Sequence, residues 1–184
     1  MIVWRLLFLC SALMLAAALL LRGWFGKRGL VQFGGRACQP DPERWRAWAG
    51  DALPEKMGAE TLGRELRRIA LKHWAERDPK AARGREAARR FGLAVPPLTL
   101  VVLVFALVLA KLPLFGALSL ALGATALSAA IGLLSVGSEL RAVARATGEV
   151  REKRIFRRAD DEEAVIACAQ AAVWMAALPP ILGK

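Results

Sequence analysis

Apolar and charged residues fall into separate blocks along this chain. Residues 2–21, 93–110, 112–136 and 164–181 form four stretches with almost no charge. Each is as long, or nearly as long, as the roughly 20 residues a helix needs to cross a hydrocarbon core of about 30 Å. Between them the pattern turns amphipathic. After Pro54 and Gly58, the residues Leu62, Leu66, Ile69 and His73 recur at helical spacing while Arg64, Arg67, Arg68 and Lys72 fill the remaining arc. The pattern predicts an all-α polytopic membrane protein with about four transmembrane helices plus cytoplasmic amphipathic helices. Its divisions are a membrane anchor helix over 1–21, a basic cytoplasmic helical segment over 22–92 and a transmembrane hairpin over 93–136. A charged cytoplasmic helix or loop over 137–163 and a last transmembrane helix over 164–184 follow. Only 22–92 is long enough to form a soluble core, and a small one.

Charge adds an orientation. Of the 27 Lys and Arg residues, 17 lie between positions 22 and 90 and 7 between 141 and 158, leaving Arg5, Lys111 and Lys184. Basic residues near spans stay on the cytoplasmic side. Both rich segments are therefore expected inside, with the amino terminus, the turn at 111–113 and the carboxyl terminus outside. A net charge of +11 would also suit a nucleic-acid partner. The first segment, however, sets 17 basic against 9 acidic residues and the second 7 against 7, as the positive-inside rule alone would produce. The expected counter-charge is a bilayer with anionic headgroups rather than nucleic acid.

Local signals complete the layout. The first stretch reads as a retained anchor: its n-region holds only Arg5, and its one small-x-small match, Ala16-Ala17-Ala18, is followed by three leucines. Trp4 and Trp24 bracket it, as interfacial indoles do. Gly23, Gly26, Gly29, Gly34 and Gly35, followed by Pro40, predict a loop. Asp41-Pro42 is an N-cap and first-turn pair opening a short helix. Its Trp45 and Trp48 share a face, set either in the headgroup layer or against a neighbouring helix. Asp78-Pro79 ends the amphipathic helix and caps a basic one reaching about Phe91. The three cysteines offer no disulfide framework and no zinc-ligand spacing.

The third apolar stretch has more pattern than a lipid-facing helix needs. Ala121, Thr125, Ser128, Gly132 and Ser135 draw a stripe of small or hydroxylated residues along one face, where a neighbouring helix can approach closely. Continued by four, the stripe reaches Glu139, either a carboxylate aimed along a helix interface or a solvated one at headgroup level.

In this order of elements the chain resembles the neutral zinc metallopeptidases of bacterial membranes, the YugP type. That family places a His-Glu-x-x-His helix before paired spans and a third ligand, a Glu, just after them. Ser138-Glu139-Leu140-Arg141-Ala142-Val143-Ala144-Arg145 is similar to the second motif, and Asp160-Asp161-Glu162-Glu163 to an acidic cluster opening the family's last helix. The resemblance covers residues 60–184 and implies a bacterial cytoplasmic membrane, with Glu139 in the third-ligand place. At the first motif the chain departs from the family. It reads Arg64-Glu65-Leu66-Arg67-Arg68, with arginines where both imidazoles belong, and a guanidinium has no lone pair for zinc. Glu65 is then a vestigial general base, or an exposed helical Glu pairing with Arg68. His73, flanked at i−4 and i+4 by Ile69 and Arg77, has no second ligand on its helix and reads as a packed or headgroup-level residue.

No metal and no cofactor is therefore expected. The first expectation is a non-catalytic membrane protein, a degenerate metallopeptidase-like scaffold or complex subunit associating with other membrane subunits or with itself. The alternatives are an active membrane metallopeptidase with ligands such as Glu65, Glu139 and His73 drawn from different helices, and a basic module binding anionic lipid or nucleic acid. If Arg64 and Arg68 replace a metal, one of them should form a charge-assisted bond with Glu139.

Overall fold

The computed structural model of the chain describes residues 2–54, 57–109 and 112–177, and among these it is all-helical. Three helices are long and apolar enough to cross a membrane. The first begins as α1 (Ile2–Leu21), widens into π-helical turns over Arg22–Lys27 and ends as α2 (Arg28–Phe33). Gly23, Gly26 and Gly29, expected to form a loop, instead continue this helix, while Gly34 and Gly35 form a turn after it. Gly26 and Gly29, one turn apart, let another helix approach: a Cβ on Gly26 would lie 2.9 Å from Met175 Sδ, and one on Gly29 3.1 Å from Ala171 Cβ. The second and third candidate spans are α5 (Pro79–Val108) and α6 (Leu114–Glu152).

The divisions drawn at 92 and 136 fall within continuous helices. Asp78 caps α5 by accepting from Ala81 N at 3.0 Å, and the helix runs through Pro96 and Pro97, with Thr99 Oγ1 donating back to Val95 O. The 39 residues of α6 make a rod of about 58 Å, roughly twice the hydrocarbon thickness. Its first half packs on α1, where Ala126 and Ala129 meet Leu15 and Ala18, and on α5, where Ser128 donates to Gly92 O. Large apolar residues on the outer sides of these helices, among them Leu13, Leu20, Val102, Phe105 and Leu118, are exposed. A belt of that extent suits lipid and not water.

The second half of α6 enters a polar layer with its own core. Around it stand α3 (Pro42–Ala49), α4 (Ala59–Arg77) and α7 (Ala159–Ala176). Asp41 caps α3 as expected, accepting from Glu43 N at 3.2 Å and Arg44 N at 3.3 Å, and Gly50 ends it at φ 75°. Trp45 and Trp48 are buried against neighbouring helices rather than lying in a headgroup layer. They join Leu62, Leu66 and Ile69 of α4 with Val143 and Val150 of α6 and Val165 and Cys168 of α7. The core therefore draws on α6 and α7 and is not confined to 22–92.

Three candidate spans, not four, are found among the described residues. Helix α7, described through Ala177, is not one of them; its Ala164, Val165, Cys168, Ala169 and Val173 are buried by protein. Gly63 of α4 sets its distance, since a Cβ there would lie 2.7 Å from both Ala169 N and Cys168 Cβ. An apolar run reads alike for a span and for a helix buried among others. Residues 178–181 of the expected span, like Lys111 and Lys184, lie outside the described residues.

Replacing Gly63 by Leu should overpack the α4–α7 contact and lower stability by about 2 kcal/mol or more. Gly84→Ala, at an α5 position with open space around it, should instead raise it by about 0.5–1 kcal/mol. Chemical denaturation in detergent micelles followed by helical circular dichroism reads both changes.

Candidate functional site

Glu139 lies where three helices meet, and its carboxylate is 5% exposed. Arg67 of α4 donates from Nε at 3.0 Å and Nη2 at 2.6 Å to Oε2, and Arg85 of α5 donates from Nε at 2.9 Å and Nη2 at 2.5 Å to Oε1. Each oxygen thus accepts two charge-assisted bonds from one guanidinium. Both arginine side chains are largely buried, at 17% and 13% exposed.

The partners expected from the motif are elsewhere. Arg64 pairs with Glu60 and is 67% exposed; Arg68 bonds Asp51 at 2.8 Å and Glu65 at 2.7 Å. Successive helical residues are about 100° apart, so the i, i+4 pair at 64 and 68 points outward while Arg67 turns in, with Gly63 and Ala70 opening the same side. Glu65 is engaged by Arg68 on that outer side, apart from Glu139. Among the described residues no three His, Cys, Asp or Glu side chains converge to hold a metal. The small-residue stripe serves two neighbours: Ser128 meets α5, and Gly132 lies against the backbone at Ala177. Ala121 and Ser135 are half-buried, and the hydroxyls of Thr125 and Ser135 turn back to Ala121 O and Gly132 O, each at 2.7 Å.

Beside the clamp, α4, the start of α5 and α6 enclose a cavity of about 410 Å³. His73, Trp74 and Arg77 line it from α4, and Ser138, Arg141 and Arg145 from α6. At its far end Glu149 accepts from Trp48 Nε1 at 3.0 Å and Arg77 Nη2 at 2.5 Å, with His73 Nδ1 at 3.5 Å. The ring of Trp48 meets His73 edge-on at 5.8 Å. Burial pushes the Glu149 carboxyl up, but the bonds from Trp48 and Arg77 and the charges of Arg77 and His73 outweigh it and hold the group below the usual carboxylate range. His73 is therefore fixed by a carboxylate and faces a cavity, which its lone position in the sequence did not suggest.

Arg85 and Glu149 lay outside every motif, and Arg67, Arg141 and Arg145 lay inside the quoted ones without a role of their own. A signal for Arg85 did exist: in an antiparallel hairpin turning at Lys111, Arg85 precedes the turn by 26 positions and Glu139 follows it by 28. For Arg67 it was the small residues four before and three after it. Comparison with protein-family models, curated proteins and solved structures finds no match to this chain.

Because the folded Glu149 carboxyl titrates below its ordinary value of 4.5, its contribution is complete above the unfolded value and is lost as pH falls through the folded one. At pH 7 Glu149→Gln should cost about 1 kcal/mol or more, from weakened bonds to a charge. The stability gap between wild type and variant should shrink as pH falls below about 4.5. Denaturation curves across that range measure it.

Proposed function

We propose that this chain is a non-catalytic membrane scaffold or complex subunit, in which three spans anchor a basic helical domain at the cytoplasmic face of a bacterial membrane. The observation that carries the non-catalytic reading is the occupancy of Glu139: both oxygens are taken by guanidinium forks, leaving this carboxylate neither a face for a metal nor a free lone pair for a general base. Arginines at 64 and 68, turned outward, supply no metal ligand either. The clamp instead joins α4 to the paired helices α5 and α6, and so holds the polar domain in one position relative to the apolar layer.

Placement in a bilayer is supported by the exposed apolar belt on α1, α5 and α6 and by the concentration of 24 of 27 basic residues in the polar segments. Arg28 stacks over Trp24 at 5.1 Å near the end of the apolar part of the first helix, where an amphipathic indole and a cation both suit a headgroup layer. On this reading the amino terminus and the turn between α5 and α6 are outside, and α7 stays on the cytoplasmic side through Ala177. Its partners are anionic headgroups and other membrane subunits or a second copy.

Single cysteines introduced into a background lacking Cys10, Cys38 and Cys168 test this arrangement. An impermeant maleimide applied to intact cells should modify a cysteine replacing Lys111 and spare those replacing Lys72, Arg154 and Lys184. Modification of the Lys184→Cys protein would restore a fourth crossing, and modification at Lys72 would overturn the orientation altogether.

A further inference from the structure

We propose that the cavity between α4, the first turn of α5 and α6 binds a small soluble phosphate ester or polyphosphate. Three guanidinium groups, those of Arg77, Arg141 and Arg145, border it, and the carboxylates on the same wall are already committed. Glu149 is held by Trp48, Arg77 and His73, and Asp78 caps α5 through Ala81 N. Arg141 and Arg145 are left over. Neither has a carboxylate partner among the described residues, and Arg141 reaches only Gly137 O of its own helix, at 3.2 Å. One turn apart on α6, the two like charges disfavour each other, and an anion between them would relieve that repulsion while taking two charge-assisted forks.

The other wall is aromatic. Trp74 is half-buried and makes none of the ring contacts that occupy Trp45, Trp48 and Trp174. Its indole offers a flat apolar surface to the organic part of an ester. A volume of about 410 Å³ lies in the range of small-molecule sites and exceeds what a bare phosphate needs.

Depth separates a soluble ligand from a lipid headgroup. The apolar stretch of α6 ends at Val136, and the cavity residues of α6 begin at Ser138 and end at Glu149. At about 1.5 Å per residue Arg145 stands roughly 13 Å further along the helix, beyond the roughly 5–7 Å that a headgroup layer adds on each side.

The test uses the full chain in nanodiscs of zwitterionic lipid, titrated calorimetrically with inorganic pyrophosphate. Saturable binding near one equivalent is expected, weakened at least about tenfold in Arg141→Gln/Arg145→Gln, where charge-assisted bonds are lost. The same result should appear at smaller size in Arg145→Gln alone, whose side chain makes no hydrogen bond or ion pair among the described residues. Arg83→Gln, on an exposed part of α5 outside the cavity, should bind within about twofold of wild type, since it removes charge but no contact. Absence of saturable binding, or equal weakening in Arg83→Gln, would overturn the proposal. Loss of pyrophosphate binding when phosphatidylglycerol is added to the nanodisc would overturn it in favour of a lipid phosphate.

Discussion

A carboxylate taken out of water beside a membrane must find its counter-charge within the protein, and in this fold that requirement falls on Glu139. An unpaired buried charge costs several kcal/mol, whereas a well-bonded one contributes little net stability, because desolvation offsets most of the Coulombic gain. The asymmetry makes Glu139 a constraint more than a source of stability. Any docking of α4 or α5 that moved Arg67 or Arg85 away from α6 would strand the charge. The clamp accordingly fixes the rotation of α4, the register of the α5–α6 pair and, through both, the depth of the polar domain relative to the apolar layer.

The rest of the architecture follows from α6, which is too long to be only a span. Its first half offers small residues to α1 and α5, where close helix approach and backbone-directed hydroxyls replace the hydrophobic effect that lipid cannot supply. Its second half presents Val143 and Val150 to a core in which that effect acts again. One rigid helix thus serves two solvents, and Glu139 sits near the change between them. Glycines on the partner helices set the spacing against α7, where Gly26, Gly29 and Gly63 leave no room for a Cβ without displacement.

The sequence made the helices, the caps at Asp41 and Asp78 and the interest of Glu139 legible, because these depend on local spacing and on charge. It was least informative where the outcome depends on what a residue meets. Residues 164–181 have the apolar length of a span, but the described part of them is covered by α4 and by the glycine face of the first helix, and composition cannot say whether lipid or protein provides the cover. The glycines at 23, 26 and 29 were read as a loop for the same reason: a residue without a side chain serves a turn and a close helix contact alike. At the clamp, alignment to a His-Glu-x-x-His pattern drew attention to positions 64 and 68, which face outward, and past Arg67, whose inward rotation is marked only by the smallness of Gly63 and Ala70. His73 and Glu149 are 76 positions apart, and only the fold brings them to one cavity.

The most direct test of this account is a double-mutant cycle between Glu139 and Arg67, using Glu139→Gln and Arg67→Gln singly and together, with unfolding free energies measured in detergent. If the clamp fixes the polar domain onto the paired helices, the two residues should be coupled by about 2 kcal/mol or more, with the double variant losing little beyond either single one. A coupling below about 0.5 kcal/mol, the level at which separate sites simply add, would mean that Glu139 and Arg67 do not hold each other, and the account would fail at its centre.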